Sequence, residues 1–269
     1  MKKVAVDLLS DVEKTMLMPL WGRYSESIKE NGLLYDQKSA ELVEEIDFDF
    51  SSFEKSQHPL TRLAWVTRAW NTDKELARYA PKDEPFTTVS LGCGLDTTFY
   101  RSSHPLMRWI DVDLPDVIEL RRELLGTTEG VSFLAGSILD AATFEPLVTK
   151  DLVIVLALGL LCYFTELEVK QIMDNISTIS PKMTIIMDYF SKAGIEISNQ
   201  IVMNKDSGVK MIWHSTGYDD LLSLHPGIEV VETYPLFQKI MPHLSPTEQS
   251  MAAMSDQKAI NSMAILRIS

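Results

Sequence analysis

A change of period near residue 85 limits this chain more than any other feature. Beyond it, short apolar runs of strand length recur at 88–91, 108–112, 131–135, 152–158, 184–188, 228–234 and 263–268, separated by amphipathic stretches. Such alternation builds βαβ units and a mostly parallel sheet covered by helices. Between the runs, 116–125 places Val117, Leu120 and Leu124 on one helical face. The stretch 165–179 does the same with Val169, Ile172, Met173, Ile176 and Ile179. Thr165 and Glu168 have capping-box spacing at its start, and Ser180-Pro181 ends it. The expected fold class is α/β: a Rossmann-like, seven-stranded, mostly parallel sheet whose last two strands form an antiparallel, hairpin-like pair.

The residues before the change read differently. Leu17, Leu20, Trp21 and Tyr24, then Leu60, Leu63, Ala64, Val66, Thr67 and Trp70, fall at helical spacings, with loops expected at Glu30-Asn31-Gly32 and 47–56. Ala80-Pro81-Lys82-Asp83-Glu84-Pro85 is the break. The predicted organisation is an N-terminal helical cap over 1–84 and an α/β domain over 85–269. Within that domain, 191–226 is too long for a simple connection and reads as a lid over the site.

Composition excludes several function classes. The formal net charge of −13 opposes nucleic-acid binding, which needs a basic footprint. The longest apolar run, 152–161, is too short to span a bilayer, and no run of signal-peptide length follows Met1-Lys2-Lys3. Two cysteines, Cys93 and Cys162, suggest neither a disulfide framework nor a zinc site. His58, His104, His225 and His243 share no metal-ligand spacing. The expectation is a cytoplasmic protein with a small-molecule substrate, no membrane or nucleic-acid partner and no metal.

The first strand of the α/β region runs into Leu91-Gly92-Cys93-Gly94-Leu95-Asp96. Gly92 and Gly94 remove side chains where the chain turns toward a helix, so a ligand can approach the backbone. Glycine pairs also serve plain tight turns. The next strand favours the ligand: Trp109-Ile110-Asp111-Val112-Asp113 ends in acids about 20 residues on, where dinucleotide-type folds hold ribose hydroxyls. Asp113, nearer the carboxyl end, is preferred over Asp111. Position 97 is Thr where the third fingerprint glycine would stand. That disfavours a dinucleotide and leaves an adenosyl cofactor without a pyrophosphate.

The segment 92–101, together with 109–115, closely resembles the leucine carboxyl methyltransferase family, nearest its bacterial branch of tetracenomycin-type polyketide O-methyltransferases. Trp21-Gly22-Arg23, Ile46-Asp47-Phe48-Asp49-Phe50, the helix around Arg68, Ser137-Ile138-Leu139-Asp140 and Gly159-Leu160-Leu161-Cys162-Tyr163-Phe164 extend the resemblance to about Asp188. It implies a class I methyltransferase fold and S-adenosyl-L-methionine as cofactor. Arg68 would meet the methionyl carboxylate, as a guanidinium fork suits. Gly92 would underlie the methionyl part, Gly94 the turn beside it, and Asp113 would hold the ribose. Ser137 and Ile138 would flank the adenine. Relatives commonly carry Glu where this chain has Leu158, and Leu158 cannot accept a hydrogen bond from the cofactor's ammonium group.

Methyl transfer from a sulfonium is a displacement that depends on positioning. A carboxylate nucleophile is already ionised at neutral pH, whereas a hydroxyl needs a base. The candidates near the acceptor are Tyr163 and His214, then Asp188 and Tyr189. Arg23, Tyr24 and Trp213 are expected to face the substrate from a roof made by the N-terminal helices and the lid. The expected activity is O-methylation of a small molecule, most plausibly at a carboxylate. The alternative, resting on Leu158, is a cofactor-binding or interaction protein of the same fold with altered or lost catalysis.

Overall fold

The computed structural model describes residues 3–7, 9–102, 104–202 and 208–268. A two-residue parallel pair, β1 (Val4–Ala5) and β2 (Ile46–Asp47), ties the N-terminus to the third helix. The main sheet holds β3 (Phe86–Leu91), β4 (Met107–Asp113), β5 (Val131–Ala135), β6 (Leu152–Ala157), β7 (Met183–Phe190), β8 (Ile228–Pro235) and β9 (Asn261–Ile268), in the order β5-β4-β3-β6-β7-β9-β8. All neighbours pair parallel except β9, which runs antiparallel between β7 and β8.

All seven expected strands are present; β5 keeps its expected bounds, β6 ends one residue sooner, and the others are longer by one to three residues. The fully buried runs alternate between two cores. Val153, Val155 and Ala157 of β6 face one way, against Val169, Ile172, Met173 and Ile176 of the helix Glu166–Ser177. Ile154 and Leu156 face the other way, against Leu63 and Leu76 of the helix Pro59–Tyr79. Thr165 and Glu168 form the expected capping box.

Two local expectations change. The stretch 47–56 is not all loop: Asp49 accepts from the Ser51 N–H, the helix Ser51–Ser56 follows, and Phe48, Phe50 and Phe53 pack ring against ring. The last two strands are antiparallel but not hairpin-like, because residues 236–260 run between them and carry the helix Pro246–Gln257. The N-terminal helices pack onto the α/β part of the chain. Leu17, Leu20, Trp21 and Leu42 share a cluster with Leu95 of the glycine loop and with Leu120 and Leu124 of the helix Pro115–Leu125.

β3 has β4 on one side and β6 on the other, so connections leave it in opposite directions. That switch point opens a crevice at the carboxyl ends of the strands, where ligands of open α/β sheets bind.

Candidate active site

Strand register assembles one wall of the site. Leu91 pairs with both Val112 and Ala157, Ala157 pairs with Met187, and Asp113 with Ala135. One row therefore forms at the carboxyl edge: Gly92, Asp113 with its partner Ala135, Leu158 and Asp188. A cavity of about 910 Å³ opens on this row and is lined by Arg68, Gly92, Gly94, Asp113, Ser137, Ile138, Leu158 and Tyr163.

The turns at this edge need glycine. Gly92 has φ +56°, and a Cβ there would lie 2.4 Å from Leu160 Cδ1. Gly159 has φ +62°, and its missing Cβ leaves room for the Arg68 guanidinium, whose Nη1 would be 2.5 Å away. Arg68 Nη1 donates to Asp188 Oδ2 (3.2 Å), and Asp188 Oδ1 accepts from the Gly159 N–H (2.5 Å). Asp188 is thus a buried support for Arg68 and for the β6 turn, and the neighbouring Tyr189 is buried in the core. Asp113 accepts the Gly94 N–H on Oδ2 and the Leu114 N–H on Oδ1, both at 2.7 Å. Each oxygen keeps lone-pair capacity for a ribose hydroxyl. Burial pushes the Asp113 carboxyl up, against those two N–H bonds. Asp111 lies elsewhere: it takes the Trp109 indole N–H (2.7 Å) and the Arg121 guanidinium inside the protein. Ser137 accepts from the Leu139 N–H through its hydroxyl and from Thr143 through its carbonyl, and the Ile138 carbonyl is held by Asn175.

The opposite walls come from helices. His58 caps the helix Pro59–Tyr79, which contributes Leu60, Ala64 and Trp65. The helix Lys192–Ile201 contributes Ile197, Ser198 and Ile201. The helix Pro246–Gln257 contributes Met251, Met254 and Ser255, followed by Lys258 and Asn261. The helix around Arg68 and the 191–226 segment were expected at the site; the helix Pro246–Gln257 was not. Ser245-Pro246-Thr247-Glu248 could have revealed the last helix, since Ser245 and Glu248 form a capping box with proline at its start.

The roof differs from the one expected. Residues 209–215 run extended, so alternate side chains face opposite ways: Met211 lines the cavity, Trp213 is buried in the core at 5% exposure, and His214 points to solvent. Residues 203–207 of the expected lid lie outside the described residues. Tyr24 packs in the cluster around Trp21 and Leu42 and is not a lining residue. Arg23 borders the cavity but is 4% exposed, with Nε on Asp36 (3.0 Å) and Ser39 (3.2 Å) and Nη2 on the Leu95 carbonyl (2.7 Å). Its donors brace the glycine loop instead of reaching for substrate. Tyr163 does face the cavity. Burial pushes its phenol up, and its side-chain partner among the described residues is Thr15 Oγ1 at 3.4 Å, so it stays a protonated donor.

The wall fits an adenosyl sulfonium cofactor: side-chain-free turns at Gly92 and Gly159, a guanidinium for a carboxylate, and a carboxylate at the end of β4. The model of the leucine carboxyl methyltransferase family matches residues 16–177. The chain belongs to that family. Across 229 residues it is 24% identical to the tetracenomycin polyketide synthesis O-methyltransferase TcmP of Streptomyces glaucescens, covering 85% of this chain and 84% of that one. Among solved structures it is similar to a DUF574 family protein from Streptomyces avermitilis (TM-score 0.61, 13% identity, 93% of this chain and 97% of that one). It is also similar to a geranyl diphosphate methyltransferase in complex with SAM (TM-score 0.52, 12% identity, 78% and 90%). The protein is an S-adenosylmethionine-dependent methyltransferase with a class I fold. Among the described residues no helix is long and apolar enough to cross a membrane, and no cluster of three metal-ligating side chains occurs.

Proposed function

We propose that this methyltransferase esterifies a carboxylate on a small, largely apolar acid. The observation that carries the reading is how burial and hydrogen bonds already commit the polar groups facing the cavity. When bound, the cofactor supplies an electrophilic methyl group. The nucleophile must then arrive ionised or lose a proton to a base. Tyr163 and Cys162 are kept protonated by burial. His58 Nδ1 accepts the Leu60 N–H (3.1 Å), so a neutral imidazole carries its proton on Nε2 and offers the cavity a donor. Asp113 holds two backbone N–H groups, and Glu13 is turned back onto the Ser10 N–H. Asp96 also lines the cavity, and the nearby Arg23 and Arg101 guanidiniums hold its carboxyl below the usual carboxylate range, which makes it a weak base. This inventory suits a substrate that needs no base. The Tyr163 hydroxyl is suited to orient one carboxylate oxygen while the other attacks. Met18, Trp65, Ile197, Met211, Met251 and Met254 give the remainder of the cavity an apolar lining that excludes water from the displacement and accommodates a bulky body.

The test is transfer of labelled methyl from S-adenosylmethionine to a panel of apolar carboxylic acids and phenols. Acids should accept label that mild alkali releases as methanol, while phenols should not. Alkali-stable label on phenols would overturn the carboxylate assignment. Leu158 is the observation favouring the second reading, a cofactor-binding protein with lost catalysis. Tight binding of both cofactor forms with no transfer to any acceptor would support it.

A further inference from the structure

Three carboxylates line the cavity: Glu13, Asp96 and Asp113. Two of them are committed, Glu13 to its helix cap and Asp113 to the Gly94 and Leu114 N–H groups. Asp96 is different. Among the described residues the hydrogen bonding of its carboxylate is confined to Thr98, whose N–H donates to Oδ2 at 2.9 Å. One carboxylate with acceptor capacity therefore stands beside the cofactor turn, four residues beyond Gly92.

Its surroundings keep it charged. Burial pushes the Asp96 carboxyl up, but the Arg23 and Arg101 guanidiniums outweigh this and hold it below the usual carboxylate range. Neither arginine pairs with it directly. Arg23 is bound to Asp36, and Arg101 to Asp36 (2.7 Å) and bidentately to Asp73 (2.9 and 3.0 Å). Asp36 is fully buried, accepting also from Ser39 (2.6 Å) and Thr97 (2.5 Å). The network locks residues 95–101 to the N-terminal helices, with Asp96 lining the cavity and neither arginine bound to its carboxylate.

The methionyl end of the cofactor carries an α-carboxylate and an α-ammonium group. Arg68 answers the first. For the second, Leu158 at the adjacent strand end has no side-chain acceptor. We propose that Asp96 is the counter-charge for the cofactor's ammonium group, with Asp36, Arg23 and Arg101 as positioning residues that hold it there. The proposal rests on S-adenosylmethionine being the cofactor.

Calorimetry with three ligands tests it: S-adenosylhomocysteine, its desamino analogue, which keeps the carboxylate and lacks the ammonium, and S-adenosylmethionine. The wild-type protein should bind S-adenosylhomocysteine about tenfold or more tighter than the desamino analogue, the span of one charge-assisted hydrogen bond. In Asp96→Asn that preference should vanish, with affinity for the desamino analogue unchanged. Arg23 and Arg101 keep Asp36 and Asp73 as partners in this variant, so its fold should persist. Should it not, the wild-type comparison decides alone: equal affinities overturn the proposal. It is also overturned if Asp96→Asn weakens both analogues equally, which marks a purely structural loop residue, or weakens only S-adenosylmethionine, which marks a sulfonium contact. A wild-type protein that binds none of the three refutes the cofactor assignment itself.

Discussion

The two sides of the cavity are built by different means. The strand-edge wall is made of residues at or beside the carboxyl ends of β-strands, so hydrogen-bond register fixes their spacing. The opposite wall is made of side chains from segments far apart in the chain, the helices Pro59–Tyr79, Lys192–Ile201 and Pro246–Gln257 with residues before and between them, and it is rich in flexible apolar groups: Met18, Met211, Met251, Met254. The first wall is rigid and polar, suited to one invariant cofactor. The second is soft and apolar, and a methionine-rich surface repacks around different bodies. The difference implies that substitutions on the strand edge act on cofactor affinity, while those on the helices act on the acceptor substrate.

The largest expected effect lies between the two walls. Trp213 is core, so Trp213→Ala should cost about 3–5 kcal/mol of stability. Denaturant titration measures this. A small stability change with a large rise in substrate KM would return Trp213 to the substrate wall. On the strand edge, Gly94→Val meets both a φ of +46° and a Cβ contact 2.9 Å from Met16 Cβ. S-adenosylhomocysteine affinity should fall about a hundredfold, or roughly 2.7 kcal/mol. Wild-type affinity in a folded variant would show that the turn does not approach the cofactor. On the helix wall, the double variant Met251→Ala with Met254→Ala should raise the KM of an apolar acid about tenfold while leaving S-adenosylhomocysteine affinity untouched. If both constants move together, the walls are not separable.

The smallest effect concerns Asp256, on the helix that carries those methionines. Burial pushes its carboxyl up to about 6, opposed by the bond it accepts from the Phe237 N–H. The native state therefore holds a proton that the unfolded chain, with a carboxyl near 3.9, has released between about pH 4 and 6. Stability from this group falls as pH rises through that window. Asp256→Asn should match the wild type near pH 4 and exceed it by about 1 kcal/mol at neutral pH, after allowance for its partial exposure. A melting-temperature difference that ignores pH would remove Asp256 as the cause.

The same contrast separates what the sequence determined from what tertiary structure decided. Period-two apolar runs and one-face helices are local signals, because neighbours in the chain set them. The seven strands, the Thr165–Glu168 cap and the break near residue 85 could be read from them. Gly92, Gly94 and Asp113 were legible for a related reason: each sits at a strand end, and a parallel sheet aligns its strand ends. Arg23, Tyr24, Trp213 and His214 were not. An arginine and a tyrosine on a helix, or a tryptophan and a histidine in a loop, turn toward whichever surface is packed against them. Arg23 turned to Asp36 and Leu95, Tyr24 to the cluster with Trp21, and Trp213 into the core because the extended 209–215 segment alternates its side chains. The helix Pro246–Gln257 had its own cap signal at Ser245 and Glu248. That it closes the cavity could not be read locally, because β9 first had to insert antiparallel between β7 and β8 and carry the preceding residues across the carboxyl edge.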